Sequence, residues 1–447
     1  MPPSTSQQET PQPVDTVIEA RWVLPIVPRH QVLEDYSVIV DKSHIIALLP
    51  TTQAQTLYCG KQTVTLPHHA VMPGLINAHC HAAMALLRGY ADDKPLDRWL
   101  QDYIWPAEER WVSEEFVYDG ALLAMAEMLR SGTTSVIDMY FFPNMTARAA
   151  EQAGIRALLP FPVLDFPSAW AQDADEYIHK GLQFRDDFKN SPLIEVGFGP
   201  HAPYTVSDNA LRRVATLAAE LDAPIQIHLH ETAREVTDSV TQFGMRPIQR
   251  LETLGLLTPR TQCVHMTTLD EDDIAAVRNA GSHVIHCPRS NLKLASGFCP
   301  VGRLLKEDIN VAIGTDGAAS NNTLNLFADV TSAALLAKAV AGDAATLNDW
   351  QALEMATLAG ARAMGRDDVL GSLEPGKRAD IIAIDMSAPE QQPLYAPASQ
   401  MVYTDSGNRV SHSWINGRQV LDNRHLTQIE LEPLLRRVED WRQRITN

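Results

Sequence analysis

The stretch PIQIHLHE, residues 224–231, alternates residue by residue between apolar and polar character. In an extended chain Ile225, Ile227 and Leu229 fall on one face, and Gln226, His228 and His230 fall on the other, because successive strand side chains point to opposite sides. A strand with one apolar face and one face carrying an amide and imidazoles suits a barrel wall, apolar side toward covering helices and polar side toward the interior. The same kind of segment recurs at 71–79 (VMPGLINAH), 133–140, 156–163, 194–201, 262–267, 283–288 and 311–316. Helical spacing separates several of them, at 113–130, 208–221 and 269–279. Eight strands alternating with helices over about 250 residues predict an α/β fold, a (β/α)8 TIM-like barrel. A doubly wound sheet is the alternative. It would carry a glycine-rich phosphate loop after its first strand, and no G-x-G-x-x-G stands there.

Outside this core the pattern changes. Residues 15–66 and 379–420 hold short strand-like runs, without long helical periods until 430–445. They predict one small β-sandwich domain built from both chain ends. The organisation read from the sequence is a loose polar tail at 1–14, a composite β domain at 15–70 and 372–447, and the barrel at 71–371. With 447 residues, 45% apolar and 21% charged, the chain can bury a sizeable core in more than one lobe. Its 37 Lys and Arg against 55 Asp and Glu give a net charge of −18, which repels nucleic-acid phosphates and anionic lipid. No apolar run is long enough for a membrane span. The opening MPPSTSQQETPQPVD lacks the basic start and apolar core of a secretion signal. Five cysteines, odd in number and without a C-x-x-C pair, fit a reducing cytoplasm. Symmetry makes a homodimer the default assembly.

Two H-x-H triplets occur, His79-Cys80-His81 and His228-Leu229-His230, where chance supplies about 0.5 in a chain with 15 histidines. Taken singly, either pair reads equally well as satisfied core histidines. The alternation joins them. Gly197, Gly199 and His201 oppose Val196 and Phe198; Cys263 and His265 oppose Val264; Ala312, Gly314 and Asp316 oppose Val311 and Ile313. All the metal-competent side chains then face inward near the C-terminal ends of their strands, where such barrels keep their active sites. The ligand set is His79, His81, His228 and Asp316, which suits one divalent ion, zinc first, with a position left for water. The fourth strand ends in His201 and not in a bridging lysine, so the site is mononuclear. Glu231, just past the fifth strand, is placed as a proton shuttle to the substrate; its bland alternative is a helix-start carboxylate. His265 orients the attacking water, and Asp316 both ligates and takes that water's proton. Cys80 points away from the cavity.

With PGLINAHCH at 73–81, HLHE at 228–231, TDGAASNN at 315–322 and LEPGKRADIIAID at 373–385, nearly the whole chain resembles the amidohydrolase superfamily. The stretches 81–111, FGPHAPYTVS at 198–207 and TDGAASNNTLNLF at 315–327 resemble its 5-methylthioadenosine/S-adenosylhomocysteine deaminase branch. The resemblance implies a small-molecule nucleoside substrate, 5′-methylthioadenosine, S-adenosylhomocysteine or adenosine, converted hydrolytically to the inosine-type product and ammonia. It implies that Glu108 holds the ribose hydroxyls and that His201 contacts the substrate. Glu231 would protonate the ring nitrogen beside the reacting carbon, and Asp316 would pass its proton to the departing amine. Sister enzymes acting on guanine, cytosine or a triazine share several of these motifs. Some family members bring arginines to the ligand from the loop after the third strand. Here that loop, LDFPSAWAQDADEY at 164–177, has none, which favours methylthioadenosine and adenosine over S-adenosylhomocysteine.

Overall fold

In a computed structural model that describes residues 10–446, eight parallel strands follow one another in chain order around a nearly closed barrel. They are β1 Leu75–Cys80, β2 Thr133–Asp138, β3 Arg156–Val163, β4 Ile194–Pro200, β5 Ile225–Leu229, β6 Thr261–His265, β7 His283–His286 and β8 Val311–Ile313. The ring is completed just beyond β8, where the Asp316 N–H donates to the His79 carbonyl at 3.0 Å. The approach is close. A Cβ on Gly314 would sit 2.8 Å from the His79 backbone nitrogen, so only glycine lets the last strand reach the first.

Register fixes which side chains look inward. His228 lies beside Val264, Val264 beside Ile285 and Ile285 beside Ala312. Val264, Ile285 and Ala312, together with Ile76, Ile137 and Leu158, fill the barrel floor, which the helix Leu358–Met364 plugs with Ala359, Ala361 and Met364. Asn310, immediately before β8, donates to the Ala359 carbonyl at 3.0 Å, which places that plug at the N-terminal ends of the strands. The opposite faces, Val136, Leu159, Val196, Phe198, Ile225 and Ile227 among them, are buried under the surrounding helices, each large side chain contributing about 1.5–3 kcal/mol of transfer free energy. The helices expected at 113–130, 208–221 and 269–279 are Glu114–Arg130, Asp208–Glu220 and Glu271–Ala280.

Two readings of strand geometry need correction. The run 71–79 is not one strand: Tyr58–Pro73 belongs to the other sheet, and β1 begins at Leu75. Gly74 marks the break, since a Cβ there would overlap the Thr134 side chain. In β6 it is Val264 that faces inward, while Cys263 packs in the layer under the helices. Simple alternation therefore put the wrong half of β6 inside.

The second sheet draws on both chain ends. Its eight strands run in the order His425–Leu426, Arg418–Asp422, Val410–Ile415, Ile381–Asp385, Tyr58–Pro73, Gln12–Val23, Leu33–Asp41 and His44–Pro50. Ile45 near one edge and Trp414 toward the other share a core with Ile18, Leu66 and Ile381, so the sheet is folded over itself in sandwich fashion. Gln12, Pro13 and Val14 already lie in a strand; residues 1–9 of the expected tail fall outside the described residues. Arg156 at the foot of β3 ties the two sheets through Asp380 at 3.0 Å and Asn416 at 2.7 Å. Among the described residues no helix is long and apolar enough to cross a membrane.

Candidate active site

At the C-terminal mouth of the barrel three imidazoles and one carboxylate face a common point. His79 Nε2 lies 3.2 Å from His228 Nε2 and 3.5 Å from Asp316 Oδ1, and His81 Nε2 lies 3.3 Å from the same carboxylate oxygen. The far nitrogens decide what these atoms can do. His81 Nδ1 donates to the Met139 carbonyl at 2.6 Å and His228 Nδ1 to the His201 carbonyl at 2.7 Å. His79 Nδ1 meets Gln226 Oε1 at 2.7 Å, and Gln226 spends its own N–H groups on the Ala78 carbonyl and on Gln262 Oε1, so the histidine must be the donor. With every Nδ1 protonated, each neutral ring aims an Nε2 lone pair at the centre. Burial, reinforced by the neighbouring rings, pushes His81 and His228 below the ordinary imidazole range and keeps them neutral. Two lone pairs facing each other at 3.2 Å with no proton to share suit a cation between them. The donor set therefore fits a divalent metal with nitrogen and oxygen ligands.

The backbone brings these groups together by three departures from regular strand. Residues Asn77 to Cys80 of β1 oppose only Val136 to Asp138 of β2, a bulge that turns both His79 and His81 inward and leaves Cys80 in the outer layer. His265 has φ 78° and Asp316 has φ 61°, left-handed conformations that cost roughly 1–3 kcal/mol each and gather at functional sites. That twist carries His265 into the mouth although β6 parity alone would point it out. His230, with φ 51°, is turned the other way. Its Nδ1 meets the Thr268 carbonyl at 2.8 Å and its Nε2 accepts from the Ile248 N–H at 3.2 Å.

Both oxygens of Asp316 are held, Oδ1 accepting from the Gly317 N–H at 2.8 Å. Its Oδ2 accepts from the hydroxyls of Ser290 at 2.6 Å and Ser320 at 2.9 Å, which leaves Oδ1 toward the histidines. Burial works against its charge, and positive charge on the His79 and His81 side of the carboxyl is what holds it well below its usual range. Glu231 stands across from it, with Oε1 near Ser296 Oγ at 3.3 Å and Oε2 3.8 Å from His265 Nε2. Burial raises Glu231 above the ordinary carboxylate range. For His265 burial opposes the cation, yet Glu231 and Asp316 prevail and its pKa is raised; its Nδ1 donates to Asn291 Oδ1 at 2.9 Å.

A chamber of about 130 Å³ lies over this centre, walled by Met84, Trp99, Tyr140, Phe141 and Pro162. Glu108 enters it from the helix Trp105–Trp111 and accepts from the Tyr140 hydroxyl at 2.6 Å. Burial pushes its carboxyl up to about 7 against that hydrogen bond. Its neighbours Glu109 and Arg110 are exposed, the fate the sequence alone suggested for all three. His201 lines the same chamber; burial, with His81 and His79 nearby, lowers it to about 4. The Thr205 hydroxyl donates to the Ala202 carbonyl and accepts from His201 Nδ1 at 3.0 Å, so His201 presents an acceptor nitrogen to the chamber.

All eight residues singled out from the sequence line this mouth or its chamber, apart from His79, which lies behind them where the imidazoles and Asp316 meet. Sequence reading missed their supports. Gln226 was seen to face inward but not to fix a ligand's tautomer. Asn291, Ser290 and Ser320 come from helical turns after β7 and β8 with no strand pattern to flag them. Glu235 is buried, and its carboxylate accepts the backbone N–H groups of His230 at 2.9 Å and Glu231 at 2.8 Å, clamping the turn that carries the candidate shuttle. Its place four residues after Glu231 was the available signal.

Comparison with known proteins gives a consistent picture. A model described as the amidohydrolase family matches residues 70–420. A protein of Teredinibacter turnerae named 5-methylthioadenosine/S-adenosylhomocysteine deaminase is 53% identical over 97% of this chain and 98% of its own. A protein of the same name from Saccharophagus degradans is 51% identical over 97% of each chain. Among solved structures, an adenosine deaminase from Xanthomonas campestris with bound zinc is 48% identical, covers 98% of this chain and 100% of its own, and superposes with a TM-score of 0.97.

Proposed function

This chain belongs to the amidohydrolase family, and from that premise we propose that it hydrolyses the 6-amino group of purine nucleosides. 5′-Methylthioadenosine, S-adenosylhomocysteine and adenosine each take up water, release ammonia and leave as the 6-oxo product. The observation that carries this reading is the meeting of three imidazole lone pairs with Asp316 Oδ1 beside a buried Glu231.

His79, His81, His228 and Asp316 are the residues to hold one divalent cation, zinc by their donor chemistry. When bound, such an ion makes hydroxide available near neutral pH, by lowering the pKa of water from about 15.7 toward roughly 7. The chain's own groups do the rest. Asp316 takes the proton of the attacking water, its carboxylate fixed by the Ser290 and Ser320 hydroxyls and the Gly317 N–H. His265, its ring fixed by Asn291, orients that water. Glu231, whose raised pKa favours the acid form, gives a proton to the ring nitrogen beside the reacting carbon and keeps negative charge from building there. Asp316 then returns its proton to the departing amine. Glu108 accepts from the ribose hydroxyls and His201 contacts the base. Five free cysteines suit a cytoplasmic location.

The test is metal removal. Chelation should abolish ammonia release from 5′-methylthioadenosine while the protein stays folded, and zinc should restore it. Full turnover by protein stripped of metal ends this reading.

A further inference from the structure

The Glu231 side chain is loosely held. Its Oε1 is 3.3 Å from Ser296 Oγ and its Oε2 is 3.8 Å from His265 Nε2, long contacts for a group that must deliver a proton to one atom. Its backbone is held far more tightly. The His230 carbonyl accepts from the N–H groups of Thr267 at 2.9 Å and Thr268 at 3.3 Å, and the Glu231 carbonyl accepts from the Thr267 hydroxyl at 2.8 Å. Glu235 takes both N–H groups of the same two residues. All four backbone polar atoms of the turn are thus engaged, and His230 keeps its left-handed φ of 51° inside that frame.

Sequence spacing points Glu235 to a different job. Thr232 and Glu235 stand three apart at the start of the helix Ala233–Phe243, the spacing of a capping box, in which the glutamate reaches back to the N–H of the cap residue. Half of that box forms, since the Glu235 N–H donates to the Thr232 hydroxyl at 3.2 Å. The carboxylate passes over the Thr232 N–H and reaches the two residues before it. Two consecutive N–H donors need two acceptor oxygens, which a carboxylate has and an amide lacks. Burying that carboxylate is unfavourable. Glu235 is 9% exposed, burial pushes its carboxyl up to about 7, and the two N–H groups are the main pull in the other direction. A helix start alone needs no such charge, because a glutamine completes a capping box equally well.

We propose that Glu235 is the positioning residue of the proton shuttle: by holding both N–H groups of the turn, it fixes where the Glu231 carboxyl stands against the ring nitrogen it protonates. The inference rests on the deaminase reading and adds to it a group that acts through Glu231 and not on the substrate. Thr267 completes the frame from the carbonyl side.

Glu235→Gln, made in the wild type and in Glu231→Gln, tests it. The amide keeps the length and one acceptor, and turns an N–H toward a backbone N–H. In the wild type kcat for 5′-methylthioadenosine should fall about 10- to 100-fold, with KM and bound metal held. In Glu231→Gln, read in single turnover with enzyme in excess, the same change should lower the remaining rate by less than about threefold, because the group it positions is already gone. Equal proportional losses in the two backgrounds overturn the assignment and make Glu235 a support of the fold at large. So does a loss that falls on KM or on bound metal. Should Glu235→Gln not fold, Thr267→Val loosens the same turn from its other side and carries the same two-background comparison. A Glu231→Gln enzyme with full turnover moves the shuttle elsewhere and takes the role of Glu235 with it, while the reaction stands. A protein that deaminates no nucleoside overturns the reading of the reaction, and this role with it.

Discussion

The two H-x-H triplets have the same pattern and different fates. In His79-Cys80-His81 both imidazoles reach the Asp316 carboxylate at the proposed metal site, because a bulge in β1 swings them inward together. In His228-Leu229-His230 only the first does, because His230 takes a left-handed backbone and buries its ring against Thr268, Ile248 and Asp273. Spacing puts two side chains on one face only while the strand lasts. At a strand end the backbone decides, and there a single residue can send a ring into the site or behind it.

The widest gap should separate the two halves of the second triplet. His228→Ala should lose bound metal and fall below detectable ammonia release. His230→Ala should keep both the metal and most of the turnover, at a cost of about 1–3 kcal/mol in stability from the polar partners left behind. Metal analysis, steady-state rates and urea unfolding check this, and equal losses of metal would erase the contrast. A middling effect is expected one shell out. Gln226→Leu removes the acceptor that fixes the His79 tautomer and should cost about 10- to 100-fold in metal affinity or activity. An unchanged affinity, read by competition with a chelator, would mean that the ring orientation is set elsewhere. The smallest effect concerns pH. Burial lowers the pKa of His230 in the folded protein, against the pull of Asp273, so the unfolded chain binds its proton first as pH falls. Stability contributed by the neutral ring is thus full above the ordinary imidazole pKa of about 6.5 and is lost below it, with a slope of at most ~1.4 kcal/mol per pH unit. His230→Gln should flatten the fall in the urea midpoint between about pH 6.5 and 5. An unaltered slope would assign the fall to other buried groups.

The alternation in PIQIHLHE carried the fold and much of the site. Gln226 and His228 are inside and Ile225 and Ile227 outside, as period two requires. What alternation could not carry were its interruptions. Nothing in VMPGLINAH marks where one sheet ends and the barrel begins except a glycine whose neighbour in space, Thr134, is sixty residues away in sequence. Cys263 was read as inward because His265 is a site residue and the two share parity. The left-handed turn at His265 breaks that parity, and histidine, unlike glycine, gives no sign of it. Glu108 reads as one charge among PAEERW until Tyr140, from beyond β2, closes on it. The family resemblance supplied that residue where pattern reading would have dismissed it. Asn291, Ser290 and Ser320 act through contacts between turns distant along the chain, and no local spacing announces them.

Gly314 and the link from Asp316 to the His79 carbonyl put the seam of the cylinder at the proposed cation site. First stave and last are riveted there by residues that would also grip the proposed ion, so loading the centre and shutting the ring would be one thermodynamic event. A protein emptied of that ion would keep at the joint the Asp316–His79 backbone bond and the two hydrogen bonds between Asn77 and Thr315, and should unzip from it before any other. The measured affinity for the ion will then include the work of drawing the two ends of the wall together.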